Sequence, residues 1–219
     1  MLEKFKEMFE LQNQLNINTN GDEWAETSLT LQGRNIDWLR CIYMEVAEAI
    51  DSLNWKHWKD INSQDNIENV KIELIDIWHF IMSEQIKREG LVQAYTKASK
   101  IYEWTINHDS ALASYSELIV LLEDLMRTSL NGKVPLSAFF LTVMKIENFS
   151  IDDIYSLYIG KNCLNQFRQD NGYKDGTYIK IWDGEEDNIF MHNAINKMQG
   201  ITYSELYESL EKKYATVVK

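Results

Sequence analysis

The chain has 219 residues, 45% of them hydrophobic and 12% aromatic, which is enough to bury a substantial core. One Pro and only 9 Gly favour long uninterrupted elements over a turn-rich β architecture. A net charge of −12 argues against wrapping a nucleic-acid backbone, which needs a basic surface, but leaves phosphorylated small molecules open, since metal ions can carry the positive charge they require.

Two cysteines, Cys41 and Cys163, give no disulfide framework and fit a reducing compartment. The opening MLEKFKEMFE threads charges through its apolar residues, unlike a signal peptide. No run approaches the roughly 20 apolar residues that span a bilayer. The expectation is a cytoplasmic protein with no membrane and no nucleic-acid partner.

In chain order, Leu2, Phe5, Met8, Phe9, Gln12, Leu15 and Asn16 follow helical spacing, so Gln12 and Asn16 fall where the pattern calls for apolar residues. A second helix from about 36 to 53 carries Leu39, Ile42, Val46, Ala49 and Leu53 on one face. A third, from about 67 to 87, has apolar residues nearly all round and is therefore central. Its inner acids, Glu73 and Asp76, are expensive to place unless something compensates them. Further helices are expected over 91–106, 110–130 and 136–149, with Asn131-Gly132 closing one and Pro135 blocking its continuation. Ser150 caps a helix that runs to about Gln169. The stretch 172–188 reads as irregular, with Asp175-Gly176 turning a small hairpin, and Thr202 with Glu205 opens a last amphipathic helix. The organisation expected is one all-α domain over 1–219, a multi-helix bundle in which a rigid core is joined to a smaller mobile helical part.

Four groups of residues carry chemistry. Glu45 and Glu48, then Glu73 and Asp76, are two i, i+3 carboxylate pairs, each projecting from one side of a helix. If the two helices pack antiparallel, four carboxylates converge; bare, they would repel one another and take up protons. Mg²⁺ resolves this as a hard cation that wants oxygen ligands and keeps waters for a phosphate to replace. Lys161, Asn165 and Arg168 share one helix face at i, i+4, i+7, suiting a polyphosphate (a point charge and a fork) with an amide for a sugar hydroxyl. The following 172–182 supplies flexible backbone, lysines and aromatic hydroxyls that could close as a lid. Trp55 and Trp58 among lysines could stack a base, and Gln12 and Asn16 could pair with the imide face of uracil, with His79 in the pocket wall. Each group has a competing reading: solvated helix faces for the charged pairs, packing at a helix end for the tryptophans, and an ordinary core position for His79.

The ordered text resembles the dimeric dUTPases, a branch of the all-α NTP pyrophosphohydrolases. It comprises Gln12 to Asn16, Cys41 to Glu48, Trp55 to Lys59, Ile72 to His79, Tyr158 to Arg168, Gly172 to Lys180 and Glu186 to Asn188. The resemblance implies an all-α homodimer, with a central four-helix carboxylate site, that hydrolyses dUTP and usually dUDP with two or more Mg²⁺ ions. This keeps uracil out of DNA. Carried over, Glu45, Glu48, Glu73 and Asp76 are metal ligands, and Glu45 also orients or deprotonates the attacking water. Lys161, Arg168, Tyr173 and Lys180 contact phosphates, with Glu45, Lys161 and Arg168 as the catalytic set. Gln12, Asn16, Trp58 and His79 line the uracil side, and Asn165 helps to select deoxyribose. The alternatives are a broader house-cleaning NTP pyrophosphohydrolase and a non-enzymatic acidic helical module.

Overall fold

Helical spacing becomes helix almost throughout. The computed structural model describes residues 1–60, 62–197 and 202–218; eleven helices account for 72% of it, beside one two-stranded sheet, so the class is all-α. The chain divides into two compact units, Met1–Ile151 and Asp152–Lys219.

The first unit contains α1 (Leu2–Asn20), α2 (Trp24–Thr27), α3 (Trp38–Asp51), α4 (Ile67–Glu89), α5 (Leu91–His108), α6 (Ser110–Tyr115), α7 (Leu118–Leu130) and α8 (Leu136–Lys145). Apolar residues on all sides make α4 the centre, with α1, α2, α3, α5 and α8 packed against it. Trp78 of α4 lies at the middle of an aromatic cluster. It stacks on Phe139 at 5.0 Å and meets Phe5 and Phe9 edge-on, which are the pairings that ring quadrupoles favour.

Helices α3 and α4 run antiparallel. The Trp38 ring stacks on Phe80 at one end, and at the other Asn69 Nδ2 donates to Ser52 Oγ at 2.8 Å. Both helices start on side-chain caps: Asp37 accepts from the Arg40 amide and Asn66 from the Asn69 amide. The connecting loop is held by Asn54, whose amide N–H donates to Asp65 and whose side chain donates to the Ser63 carbonyl. These constraints fix the register that brings Glu45 opposite Glu73.

The second unit holds nearly all of α9 (Ile151–Asp170), a hairpin of β1 (Ile181–Trp182) and β2 (Glu185–Glu186), α10 (Asp187–Lys197) and α11 (Tyr203–Val217). Phe167 forms its aromatic core with Tyr178, Trp182, Tyr207 and Tyr214. The Thr202–Glu205 capping box forms as its spacing predicts.

The expected elements differ in four places. Helix 110–130 is broken at Ser116 and Glu117, both extended; α6 packs on α8 through Ala113 and Leu141, and α7 packs on both α3 and α8, with Leu121 joining the same cluster. Helix α8 ends at Lys145 rather than Phe149 because Ile146 is extended and Asn148 is left-handed. The hairpin turns at Asp183-Gly184 and not at Asp175-Gly176. Both residues of the actual turn have positive φ, which a two-residue turn matching strand twist demands. The earlier Asp-Gly lies where α9 has just unwound. Helices α2 and α10 carry too weak a periodicity to be foreseen.

Candidate active site

Glu45 from α3 and Glu73 and Asp76 from α4 each offer a carboxylate oxygen, and these oxygens all lie within 4.8 Å of one another. Glu73 is buried, the other two half-buried. Packing α3 against α4 in antiparallel register produces this convergence. Asn69, one turn before Glu73, bridges the two helices: its Nδ2 donates to Glu73 Oε1 at 3.0 Å as well as to Ser52. A carboxylate held on one oxygen by an amide is fixed in rotamer, which ligation requires. Glu48, one turn beyond Glu45, is exposed and stands outside that convergence. The donor set is all hard oxygen, suited to a hard divalent cation rather than a thiolate- or imidazole-seeking metal.

One turn along α4 from Asp76, a buried polar network interrupts the core. His79 Nδ1 lies 2.7 Å from Gln12 Oε1. Gln12 Nε2 donates to Asn16 Oδ1 at 3.2 Å and to Ser83 Oγ at 3.0 Å, and Asn16 Nδ2 donates to Ser83 Oγ at 2.9 Å. Ser83 Oγ in turn donates to the His79 carbonyl at 2.8 Å. Thus α1 and α4 bring Gln12, Asn16 and His79 together as the spacing of the first helix anticipates.

A family model described as dUTPase matches residues 4–173. The chain belongs to the dUTPase family. A search of curated proteins returned no match. The activity that goes with this dUTPase is hydrolysis of dUTP. The matched span takes in both carboxylate pairs, the buried amides and the Lys161–Arg168 face, and ends at Tyr173. Among the described residues, no helix of this dUTPase is long and apolar enough to cross a membrane.

In the second unit, Arg168 organises the basic group. Its Nε and Nη2 donate side-on to Asp187 at 2.8 and 2.7 Å, while Nη1 reaches Asn165 Oδ1 at 3.3 Å. Both members of the ion pair are buried, at 8% and 0% exposure. Burial pulls the guanidinium pKa down, but the hydrogen bond and charge of Asp187 outweigh it and the net shift is upward. Tyr178 donates a third bond to Asp187, and its own pKa is pushed up by burial first and by Asp187 second. The fork expected to grip phosphate therefore already holds Asp187, with Nη1 on Asn165 and Nη2 also within 3.4 Å of Asn188 Oδ1.

Tyr173 reaches Arg168 through the way α9 ends. The Tyr173 amide donates to the Arg168 carbonyl and the Gly172 amide to that of Gln169, a helix stop that needs the positive φ of Gly172. The chain folds back so that the guanidinium lies 5.9 Å from the Tyr173 ring. Lys161 is buried one turn before Asn165, and Lys180 is exposed and pairs with Glu186.

Trp58 is 64% exposed, edge-on to Trp55 and His57 in the α3–α4 loop, and belongs to neither the carboxylate convergence nor the amide network. Sequence reasoning missed Asn69 and Ser83, and gave Asp187 no role of its own although Glu186 to Asn188 is part of the text that carries the resemblance. The first two had a signal: each sits four residues from a motif residue on α4, where one helical turn places neighbours. Membership of that motif did not reveal the partner of Asp187, since only tertiary folding brings it to Arg168.

Proposed function

We propose that this chain is a Mg²⁺-dependent dUTPase, working as a homodimer on dUTP and also on dUDP, with Glu45, Glu48, Glu73 and Asp76 as ligands for two or more ions. The observation that carries the reading is the approach of three acidic side chains to within 4.8 Å on two helices, one of them central and apolar. Like charges this close, one of them buried, are costly to keep ionised without a cation. When bound, Mg²⁺ would neutralise the polyphosphate and favour in-line attack by water.

The chain's own residues do the rest. Glu45, half-buried at the edge of the cluster, orients or deprotonates the water; Glu73, held by Asn69, is the rigid ligand. Lys161, Arg168, Tyr173 and Lys180 take the phosphates, and Asn165 selects deoxyribose. Gln12, Asn16 and His79 form the uracil side, joined by Trp58 as a stacking face. Support for the dimer comes from the resemblance to dimeric dUTPases.

A panel of dUTP, dUDP, dCTP, dTTP and UTP, read by released phosphate or pyrophosphate with Mg²⁺ or EDTA present, tests the reading. The expectation is turnover of dUTP and dUDP alone, lost in EDTA and lost in Glu48→Gln. Comparable hydrolysis of dCTP would replace it with a broad house-cleaning pyrophosphohydrolase; full activity in EDTA would remove the metal assignment.

A further inference from the structure

Beyond the span matched by the family, which ends at Tyr173, the chain is exposed as far as Thr177 and is anchored again at Tyr178. The Tyr178 hydroxyl donates to Asp187 Oδ2 at 2.8 Å, and its ring meets that of Tyr173 at 6.0 Å. Asp187 accepts three further bonds, from Arg168 Nε, Arg168 Nη2 and the Asn188 amide, so all four acceptor positions of its carboxylate are used. The Asp187 amide in turn donates to the Lys180 carbonyl at 3.0 Å. Tyr178 and Asp187 therefore tie together Tyr173, Lys180 and Arg168, three of the four side chains assigned to the phosphates.

This hub is held from α11. Tyr214, 9% exposed, stacks on Tyr178 with ring centroids 5.1 Å apart and 18° between planes, and its hydroxyl accepts from the Ile179 amide at 3.1 Å. One side chain thus sets the plane of the Tyr178 ring, which aims its hydroxyl, and the backbone position of the next residue. Trp182 Nε1 donates to the Ile179 carbonyl at 2.8 Å, so both polar groups of that peptide are held by aromatic side chains. Helix α11 is itself fastened to α9: Leu206 and Leu210 share its core, and Tyr207 donates to Asp170 Oδ2 at 2.6 Å.

We propose that Tyr214 is a positioning residue for phosphate binding: from α11 it holds Tyr178 and Ile179, through them Asp187, and so keeps Tyr173, Lys180 and Arg168 in one arrangement. The proposal rests on the reading of those three as phosphate contacts, whereas the hold of Tyr214 on the hub does not depend on any substrate.

Two measurements on the full chain separate these parts. Without ligand, hydrogen exchange of Arg168 Nε–H, followed by NMR of ¹⁵N-labelled protein, is expected to quicken about threefold in Tyr214→Phe, which keeps the ring, and about tenfold or more in Tyr214→Leu. Unchanged exchange in a folded Tyr214→Leu overturns the proposal. So does an equal quickening at the Phe167 amide, which would mark a general loosening of the unit. With dUTP, KM is expected to rise by similar factors while kcat falls less than about twofold and the melting gain on adding Mg²⁺ is kept; a KM equal to wild type in both variants overturns the phosphate role. If Tyr214→Leu does not fold, Tyr214→Phe decides, and wild-type exchange and KM there overturn the proposal. Should wild type leave dUTP intact, the phosphate role falls with the reading it rests on, while the exchange still judges the hold on Arg168.

Discussion

Glu73→Gln should move stability and activity in opposite directions. The substitution keeps shape and keeps an oxygen to accept from Asn69, and changes only the charge. Two unit charges at 4.8 Å, the outer limit of the cluster, repel by about 3.5 kcal/mol at an effective dielectric near 20. Glu73 faces two such charges. Relief by proton uptake costs a glutamate about 3.7 kcal/mol at pH 7, which caps the strain of the metal-free state. Glu45 and Asp76 are half-buried and partly screened, so neutralising Glu73 should stabilise the metal-free protein by about 1–3 kcal/mol. For a chain this size that is a melting temperature higher by about 3–10 °C in EDTA. Wild type should gain stability when Mg²⁺ is added, by about 2.7 kcal/mol at one hundred times its Kd, and the variant should gain almost none. Scanning fluorimetry of both proteins in EDTA and in a Mg²⁺ series gives all four numbers. A variant that melts below wild type in EDTA, while keeping the full Mg²⁺ increment, refutes the assignment of these carboxylates as a cation cage.

Other outcomes test the rest of the molecule. Asp187→Ala strands a buried guanidinium and should destabilise the second unit by about 3–5 kcal/mol, seen as faster hydrogen exchange in α9 and α10 with the first unit unaffected; equal protection in both proteins would deny the pair its role. Gly172→Ala places a left-handed φ on an alanine and a Cβ 2.1 Å from Thr177 Oγ1. It should cost about 1–3 kcal/mol in urea unfolding and raise KM for dUTP, and a silent substitution would show that the α9 stop does not hold Tyr173 in place. Burial pushes the Cys163 thiol up to about 12, so at pH 8 only about one molecule in ten thousand carries the thiolate. Cys41, also shifted upward, by burial first and then by Glu45 and Asp37, is half-buried and more accessible. A thiol reagent at pH 8 should therefore label Cys41 first in the native protein and reach Cys163 only on unfolding, and equal rates would contradict the burial of Cys163.

Much of the site was legible because helices convert spacing into geometry. Residues three, four and seven apart must share a face, so Glu45 with Glu48, Glu73 with Asp76 and Lys161 with Arg168 could be read without coordinates. The inward placement of Glu73 followed from the apolar residues surrounding it on α4, and Gln12 and Asn16 were marked out by falling on an apolar stripe. The class followed from long periodic runs and the scarcity of Pro and Gly.

Tertiary structure decided which groups meet and which atoms remain to act. Spacing along α3 and α4 is local, but the distance between Glu45 and Glu73 depends on the antiparallel register set by Ser52, Asn69, Trp38 and Phe80. It also decided that Glu48 stands apart from the other three, that Asp187 occupies the fork of Arg168, and that Asp183-Gly184 rather than Asp175-Gly176 turns the hairpin. The physical reason is the same in each case. Periodicity reports which way a side chain leaves its own helix, whereas contacts between residues far apart in the chain arise only when whole faces pack, and sequence spacing carries no record of that distance.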